Sequence, residues 1–267
     1  MLIRKLITIQ RVRKMNIQQW LAVVGLSVCV ATANAAPDEI MVYTDEMNAP
    51  GQLGIEQHFN YTFNGTRSAE YPGQMPTNQL SQLTSEIAYG LTNTLEAAVY
   101  LPFAVASNGD AVLNGFRLRL KYIAPHQASE TFFYGLNVEA GQSSIRVSET
   151  RDSMELRPIV GFHDDNWLIS FNPIMYIGLD SNVSHQPQFE PSIKIGHRVV
   201  EDVNAGVEYY GELGALNALR PVDQWVQTVY AVIDMELHGV DTNFGIGHGF
   251  ANAVDLWIVK GVVTVPF

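Results

Sequence analysis

Residues 116–122 read FRLRLKY, a strict alternation of apolar and basic side chains. Successive side chains of a β-strand point to opposite faces, so this stretch predicts a strand with one apolar face and one charged face. From about Gly51 to the C-terminus the same unit recurs, with some ten alternating residues and then a turn. No helical period interrupts the pattern, and the repeats predict about 12 strands.

The connections between these predicted strands alternate in length. The longer ones cover residues 64–79, 107–115, 142–152, 180–188, 214–224 and 251–255. The shorter ones cover residues 92–94, 125–130, 164–166, 201–204 and 236–240. Bacterial outer-membrane barrels have short periplasmic turns and longer outer loops, so this asymmetry favours such a barrel. An even number of strands also places both ends of the barrel on the periplasmic side.

A membrane barrel turns the apolar face of its strands outward, whereas a soluble barrel turns it inward. Every charged residue of the predicted strands falls on the polar face, but a soluble sandwich or lipocalin would also exclude charge from its core. The polar face mixes glycine, serine, asparagine and tyrosine with charges of both signs, which suits a crowded lumen. Aromatic residues of the apolar face lie near strand ends, as in an interfacial girdle. They are Phe63, Tyr122, Phe132, Phe162, Trp167, Trp225, Trp257 and Phe267. The sequence therefore predicts an all-β fold, a closed antiparallel transmembrane β-barrel over residues 53–267.

The first 35 residues are predicted to be an export signal. Five basic residues precede an apolar run from Trp20 to Val30, and Ala33-Asn34-Ala35 supplies the small residues of a cleavage site. Cys29, the only cysteine, lies within this signal, and Val28 before it is unlike a lipid-attachment site. The mature chain would have no disulfide. A closed barrel does not need one, because in lipid it pairs its backbone hydrogen-bonding groups internally.

The charge balance limits the partners of the protein. Charged residues make up 16% of the chain, where about 25% is usual for soluble domains. The net charge of −11 becomes −16 once the basic signal is removed, which argues against a nucleic-acid partner. The predicted partners are outer-membrane lipid, the outer-membrane assembly machinery and a small solute. Trp257 and the terminal Phe267 resemble the last-strand signal that this machinery recognises.

Several short stretches resemble a family of poorly characterised proteobacterial outer-membrane barrels, related to barrels labelled as phenol meta-pathway or transporter-like proteins. The stretches include 43–51 (YTDEMNAPG), 100–102 (YLP), 118–121 (LRLK), 208–210 (EYY), 243–247 (NFGIG) and the run from Lys260 through Pro266-Phe267. They extend over most of the mature chain, and none is a motif with an assigned chemistry. The resemblance implies the fold and the location in the outer membrane of a Gram-negative bacterium. It implies no catalytic residue.

Charged residues of the polar face are the candidate functional residues. Arg117, Arg119 and Lys121 form a basic ladder along one strand, with Glu96 and Glu139 on neighbouring strands close enough in principle to pair with it. A second cluster consists of Glu190, Lys194, Arg198, Glu208 and Glu212. Each set has two interpretations that stay open: a charge stripe that sets the selectivity of a pore, or a salt-bridge network that closes a narrow barrel.

No catalytic residue, cofactor or metal site is predicted. The seven histidines show no metal-ligand spacing, although His58 is expected to face the lumen. His163 and Ser170 flank a predicted turn, but the sequence contexts of lipases and proteases are absent. The acidic segment 36–52 is expected either to be a loosely ordered leader or to lie at the periplasmic mouth or in the lumen. The predicted function is a narrow outer-membrane channel or porin for small solutes. The alternatives are a closed structural or interaction barrel and, in third place, an outer-membrane hydrolase.

Overall fold

The computed structural model describes residues 38–127 and 129–267, and the regular secondary structure within them is almost entirely β-strand. The predicted export signal, residues 1–35, lies outside the described residues. In the described part of the chain, no helix is both long and apolar enough to cross a membrane.

Twelve antiparallel strands form one closed sheet, as the sequence predicted. They are β1 (Leu53–Asn64), β2 (Leu80–Thr92), β3 (Leu95–Val105), β4 (Ala111–Leu113 and Phe116–Ile123), β5 (Phe132–Gln142), β6 (Asp152–His163), β7 (Trp167–Asn172 and Met175–Gly178), β8 (Gln188–Phe189 and Ser192–Val200), β9 (Val203–Glu212 and Gly214–Ala215), β10 (Val226–Leu237), β11 (Val240–Ala251) and β12 (Trp257–Pro266). Short breaks divide four of the strands. Ala218–Leu219 pairs back onto Gly214–Ala215 in the loop before β10, and a single 3-10 turn, Val222–Gln224, completes that loop.

The first and last strands close the barrel. β1 pairs with β12 in a register that sets Asn60 opposite Lys260, and its other edge pairs with β2. The pairing reaches the terminus, where the backbone N–H of Phe267 donates to the carbonyl of Leu53 at 2.7 Å. With every strand paired on both sides, the barrel exposes no open sheet edge to lipid.

Apolar and polar side chains are distributed over the two faces of the sheet as in a membrane barrel. On β4, Leu118 and Leu120 are 56% and 46% exposed, whereas Arg119 and Lys121 between them are 8% and 5% exposed. The other strands repeat the arrangement, with large apolar side chains outside and polar ones buried inside. A soluble barrel would show the opposite distribution, because its apolar side chains would fill the interior. The chain is therefore a transmembrane β-barrel.

Aromatic side chains mark the ends of the outer surface. Trp167 and Trp257 are about half-exposed, and each contacts a histidine of the same face edge-on. The ring centroids lie 4.4 Å apart for Trp167 and His197 and 4.6 Å apart for Trp257 and His248. Indole and imidazole rings of this kind suit the boundary between acyl chains and water.

Candidate functional site in the barrel interior

The N-terminal segment 38–52, hereafter the lumen segment, lies inside the barrel. Its side chains Ile40, Val42 and Tyr43 are 3%, 2% and 1% exposed. At one end, Asp38 contacts Arg117 and Asn114. These two residues lie at the long-loop end of the barrel, near the loop before β4 and the loop after β5. At the other end, Asp45 reaches the short connections of the barrel. The segment therefore runs along the lumen from the long-loop end toward the short-turn end, where a turn between Ala49 and Gln52 leads it into β1.

The first member of the basic ladder binds the lumen segment and the wall together. One terminal nitrogen of Arg117, Nη1, donates to both carboxylate oxygens of Asp38, at 2.7 and 2.8 Å. Its other terminal nitrogen lies 3.2 Å from Glu39, and Nε lies 3.4 Å from Glu139 of β5. Three carboxylates therefore surround one guanidinium, and two of the three come from the lumen segment.

The next two rungs of the ladder have different partners. Arg119 lies 2.6 Å from Glu86 of β2 and donates a short hydrogen bond to Glu96 of β3. Lys121 donates to the backbone carbonyl of Glu46, at 2.6 Å, in the lumen segment. The structure thus places Glu139 beside Arg117 and Glu96 beside Arg119. It also supplies partners that the strand pattern did not identify, because the lumen segment belongs to no predicted strand.

Tyr43 lies at the centre of the filled lumen. Its hydroxyl is 2.6 Å from the hydroxyl of Tyr100 and 2.8 Å from the carboxylate of Glu39. Its ring is flanked by guanidinium groups, with Arg157 4.2 Å and Arg119 5.5 Å from the ring centroid. Such cation–π contacts are strongest where water is excluded, as it is around this buried ring.

The wall also satisfies the backbone of the lumen segment. The N–H of Tyr43 donates to Oδ1 of Asn172 at 2.7 Å, and its carbonyl accepts from Asn172 Nδ2 at 3.0 Å and from Ser170 Oγ at 2.6 Å. A buried backbone without such partners would lose its hydrogen bonds to water and be destabilised. Ser170 therefore donates its hydroxyl hydrogen to the Tyr43 carbonyl, not to His163, the histidine on the other side of the turn.

The second predicted cluster is spread along the barrel. Lys194 and Glu208 lie 3.5 Å apart, and Glu208 also accepts a short hydrogen bond from Lys260. Glu190 and Arg198 are eight residues apart, which is about 26 Å along an extended strand. Arg198 is exposed near the short-turn end, whereas Glu190 and Glu212 lie toward the long loops. The structure brings together Lys194 and Glu208, and it separates Arg198 from Glu190 and Glu212.

Lys260 contacts both Glu208 of the second cluster and the lumen segment. Its Nζ atom donates to the carbonyl of Ile40 at 3.0 Å, and the side chain is completely buried. The alternation in β12 places Lys260 on the polar face, but no feature of the sequence groups it with Glu208. Glu208 and Lys260 are both buried and lie on strands that are not adjacent, β9 and β12, so only closure of the sheet brings them into contact.

Three residues that the sequence did not group meet at the short-turn end. Nε2 of His126 and Nε2 of His163 lie 3.0 and 3.4 Å from the same carboxylate oxygen of Asp45. His126 belongs to the connection between β4 and β5, and His163 ends β6. His58 is buried and faces the lumen, as expected. It lies near two carboxylates of the barrel strands, Glu56 at 2.9 Å and Glu86 at 3.6 Å.

The predicted assembly residues both face outward on the last strand. Trp257 opens β12, and Phe267, which follows the end of the strand, is 68% exposed. Both rings are thus presented on the surface of the barrel.

Known proteins resemble this chain in fold. No family model and no curated protein sequence matches it. Among solved structures it is similar to the COG4313 outer-membrane channel of Pseudomonas putida F1, with a TM-score of 0.57 and 14% identity over 86% of this chain and 100% of that one. It is also similar to the KdgM porin, with a TM-score of 0.55 and 9% identity over 80% of this chain and 99% of that one. At these identities the likeness concerns the fold.

Proposed function

We propose that this chain is an outer-membrane channel for small solutes and that its lumen segment closes the channel. The proposal rests on the finding that the lumen segment fills the middle of the lumen. Ile40, Val42 and Tyr43 of the lumen segment occupy it, and they belong to no strand of the wall.

Barrel size explains why this observation matters. The interior of a barrel with about 8 strands can be filled by its own side chains, whereas 16 to 18 strands leave an aqueous channel. Twelve strands lie between these limits, so an additional stretch of chain is needed to fill the lumen. Removing that stretch would leave a passage lined by charged side chains of both signs.

The attachment of the lumen segment is compatible with movement. It is held by hydrogen bonds and ion pairs such as those of Arg117, Lys121 and Lys260. The mature chain has no cysteine with which to form a covalent link to the wall. The similar folds of an outer-membrane channel and a porin support transport as the general role. A specific relation to phenol meta-pathway barrels stays a prediction.

Single-channel recording in planar bilayers tests the proposal. The mature chain is compared with a variant that lacks residues 36–48, and folding of both is checked by their heat-modifiable mobility in gels. We expect the complete chain to conduct rarely and the shortened chain to conduct steadily. A folded, shortened barrel that conducts no better than a protein-free bilayer would refute the channel.

A closed structural or interaction barrel is the second candidate, and the dense filling of the lumen favours it. The same recording separates the two, because a closed barrel keeps its lumen blocked by wall side chains after the segment is removed. For the third candidate, a hydrolase, Ser170 would need a histidine as its base, and its hydroxyl is engaged with the Tyr43 carbonyl. We propose that the protein has no catalytic role.

Trp257 and Phe267 are proposed as the signal for the assembly machinery. Phe267→Ala is expected to reduce the amount of folded barrel in the outer membrane. The matched control is Phe250→Ala, which removes an outward aromatic side chain of β11. Equal losses in both variants would mean that the terminal position has no special role.

A further inference from the structure

We infer that Asp45, His126 and His163 form a binding site for a divalent transition-metal ion of the zinc type. An ion bound there would fasten the lumen segment to the wall at the short-turn end. This inference goes beyond channel activity, because metal binding is expected whether or not the barrel conducts.

The three side chains have the composition and spacing of a zinc site. Zinc is commonly held by histidine nitrogens and carboxylate oxygens at about 2.0 to 2.2 Å, and tetrahedral ligands are then roughly 3.3 Å from one another. The distances from the Asp45 oxygen to the two histidine nitrogens are 3.0 and 3.4 Å. All three ligand atoms lie within 4.8 Å of one another, so one ion can contact them together after small side-chain shifts.

Both ring nitrogens of His126 face hydrogen-bond acceptors. Its Nδ1 atom is 3.1 Å from the carbonyl oxygen of Ala124, and its Nε2 atom is 3.0 Å from the Asp45 carboxylate. Both partners are acceptors, so a neutral imidazole, which has one N–H, satisfies only one of them. Either a second proton or a metal ion on Nε2 resolves the conflict. A histidine that donates Nδ1–H to a backbone carbonyl and presents Nε2 to a metal is a frequent arrangement in metal sites.

The surroundings hold His163 in place and leave the site open. The ring of His163 stacks on Phe133 at 5.8 Å between centroids, which orients its Nε2 atom toward Asp45. All three ligand residues are partly exposed, and Asp45 and His163 line a pocket of about 330 Å³ at this mouth. Water can therefore reach the site and serve as the fourth ligand.

The same pocket attracts cations. Asp164 and Asp165 line it beside His163, against one basic side chain, Arg198. Excess negative charge at the mouth raises the local concentration of divalent cations.

The ligands come from three separate parts of the chain. Asp45 belongs to the lumen segment, His126 to the connection between β4 and β5, and His163 to the end of β6. An ion shared by all three would cross-link the segment to the barrel at the point where the segment leaves the lumen. Releasing the ion would remove that link and leave only the hydrogen bonds deeper in the lumen.

Calorimetric titration of the metal-free mature barrel in detergent with Zn²⁺ tests the site. We expect one ion per chain, with the affinity lowered at least tenfold in each of His126→Ala, His163→Ala and Asp45→Asn. His185→Ala is the matched control, because His185 is an exposed loop histidine outside the cluster, and it should bind as the unaltered chain does. Co²⁺ bound to the unaltered chain should give the visible absorption of a tetrahedral site.

Two results would overturn the inference. One is the lack of saturable Zn²⁺ binding by the unaltered chain, and the other is equal affinity in all four variants.

Gel mobility shows whether each variant is folded. Asp45 lies outside the barrel strands, so Asp45→Asn tests the site even if a histidine variant fails to fold. Zn²⁺ should also slow amide hydrogen exchange in residues 40–46 of the unaltered chain but not of Asp45→Asn. Binding without that slowing would refute the fastening of the segment.

Discussion

Arg117 of the wall and Asp38 of the lumen segment form a two-point ion pair, with Nη1 of the arginine 2.7 and 2.8 Å from the two carboxylate oxygens. The side chains are 16% and 14% exposed, so water screens the pair weakly. Such a pair connects a strand to a segment 79 residues earlier in the chain. It marks one end of the surface along which the lumen segment binds the barrel.

Asp38→Ala should loosen that end of the lumen segment. A hydrogen bond to a charged group contributes about 1.5–3 kcal/mol, which corresponds to a change of roughly ten- to a hundredfold in the ratio of bound to released segment. Amide hydrogen exchange in residues 40–43 should accelerate accordingly. Asp223→Ala, which removes an exposed loop carboxylate, is the control and should leave the exchange unchanged. Equal protection in Asp38→Ala and the unaltered chain would mean that the pair does not hold the segment.

Arg119→Glu should change ion selectivity in the barrel that lacks residues 36–48. The substitution places a third carboxylate beside Glu86 and Glu96, so the passage should become several-fold more selective for cations. The measurement is the reversal potential in a salt gradient. Arg119→Gln, a milder change, should give a smaller shift in the same direction.

Arg151→Glu is the control for this experiment, because it makes the same change in charge at an exposed loop position. An unchanged reversal potential in folded Arg119→Glu, or an equal shift in Arg151→Glu, would argue against the charge stripe. The basic ladder would then serve only to stabilise the filled lumen.

Gly247→Ala should destabilise the barrel. A Cβ atom added at Gly247 would lie 2.3 to 2.5 Å from three ring carbons of Tyr230, a buried side chain of the facing strand. Overpacking of this kind costs about 1–3 kcal/mol of the free energy of unfolding. At Gly196 the nearest atom would be 3.9 Å away, so Gly196→Ala should change stability by less than about 0.5 kcal/mol. Urea unfolding of the two variants in detergent measures the difference, and equal stabilities would contradict the expected clash.

Asp255→Asn should remove part of the pH dependence of stability. Burial raises the pKa of Asp255, although the hydrogen bond that it accepts from Thr77 Oγ1, at 2.6 Å, acts in the opposite direction. Between the ordinary carboxyl pKa and this raised value, the folded state holds more protons than the unfolded state. Stability therefore falls as the pH rises through that interval.

Asparagine at position 255 does not titrate, and its carbonyl can still accept from Thr77. The fall should consequently be smaller in Asp255→Asn than in the unaltered chain, as measured by urea unfolding at several pH values. Asp223→Asn is the control, because Asp223 is exposed in the neighbouring loop. If Asp255→Asn and the unaltered chain have parallel pH profiles, burial of this carboxyl does not affect stability.

The fold could be predicted because its signal is local. In FRLRLKY the two-residue period is visible within seven residues, and it fixes both the strand and the separation of Leu118 from Arg119. Repetition of that period gave the number of strands. Charged residues are absent from one face of the predicted strands, which agreed with an outward apolar surface. The exposures of Leu118 and Arg119 then established that the apolar face lies outside.

The interior could not be predicted in the same way. Asp45 is 81 residues from His126, and Ile40 is 220 residues from Lys260, so no spacing in the sequence relates them. The order of side chains along one strand follows from the period of the backbone. Which side chains meet across the lumen depends on the register of all twelve strands, on closure of β1 against β12, and on the path of a segment that belongs to no strand. The sequence by itself determined the strands and the character of their two faces, whereas the tertiary structure decided what fills the barrel, because only closure of the sheet brings distant residues to the same level of the lumen.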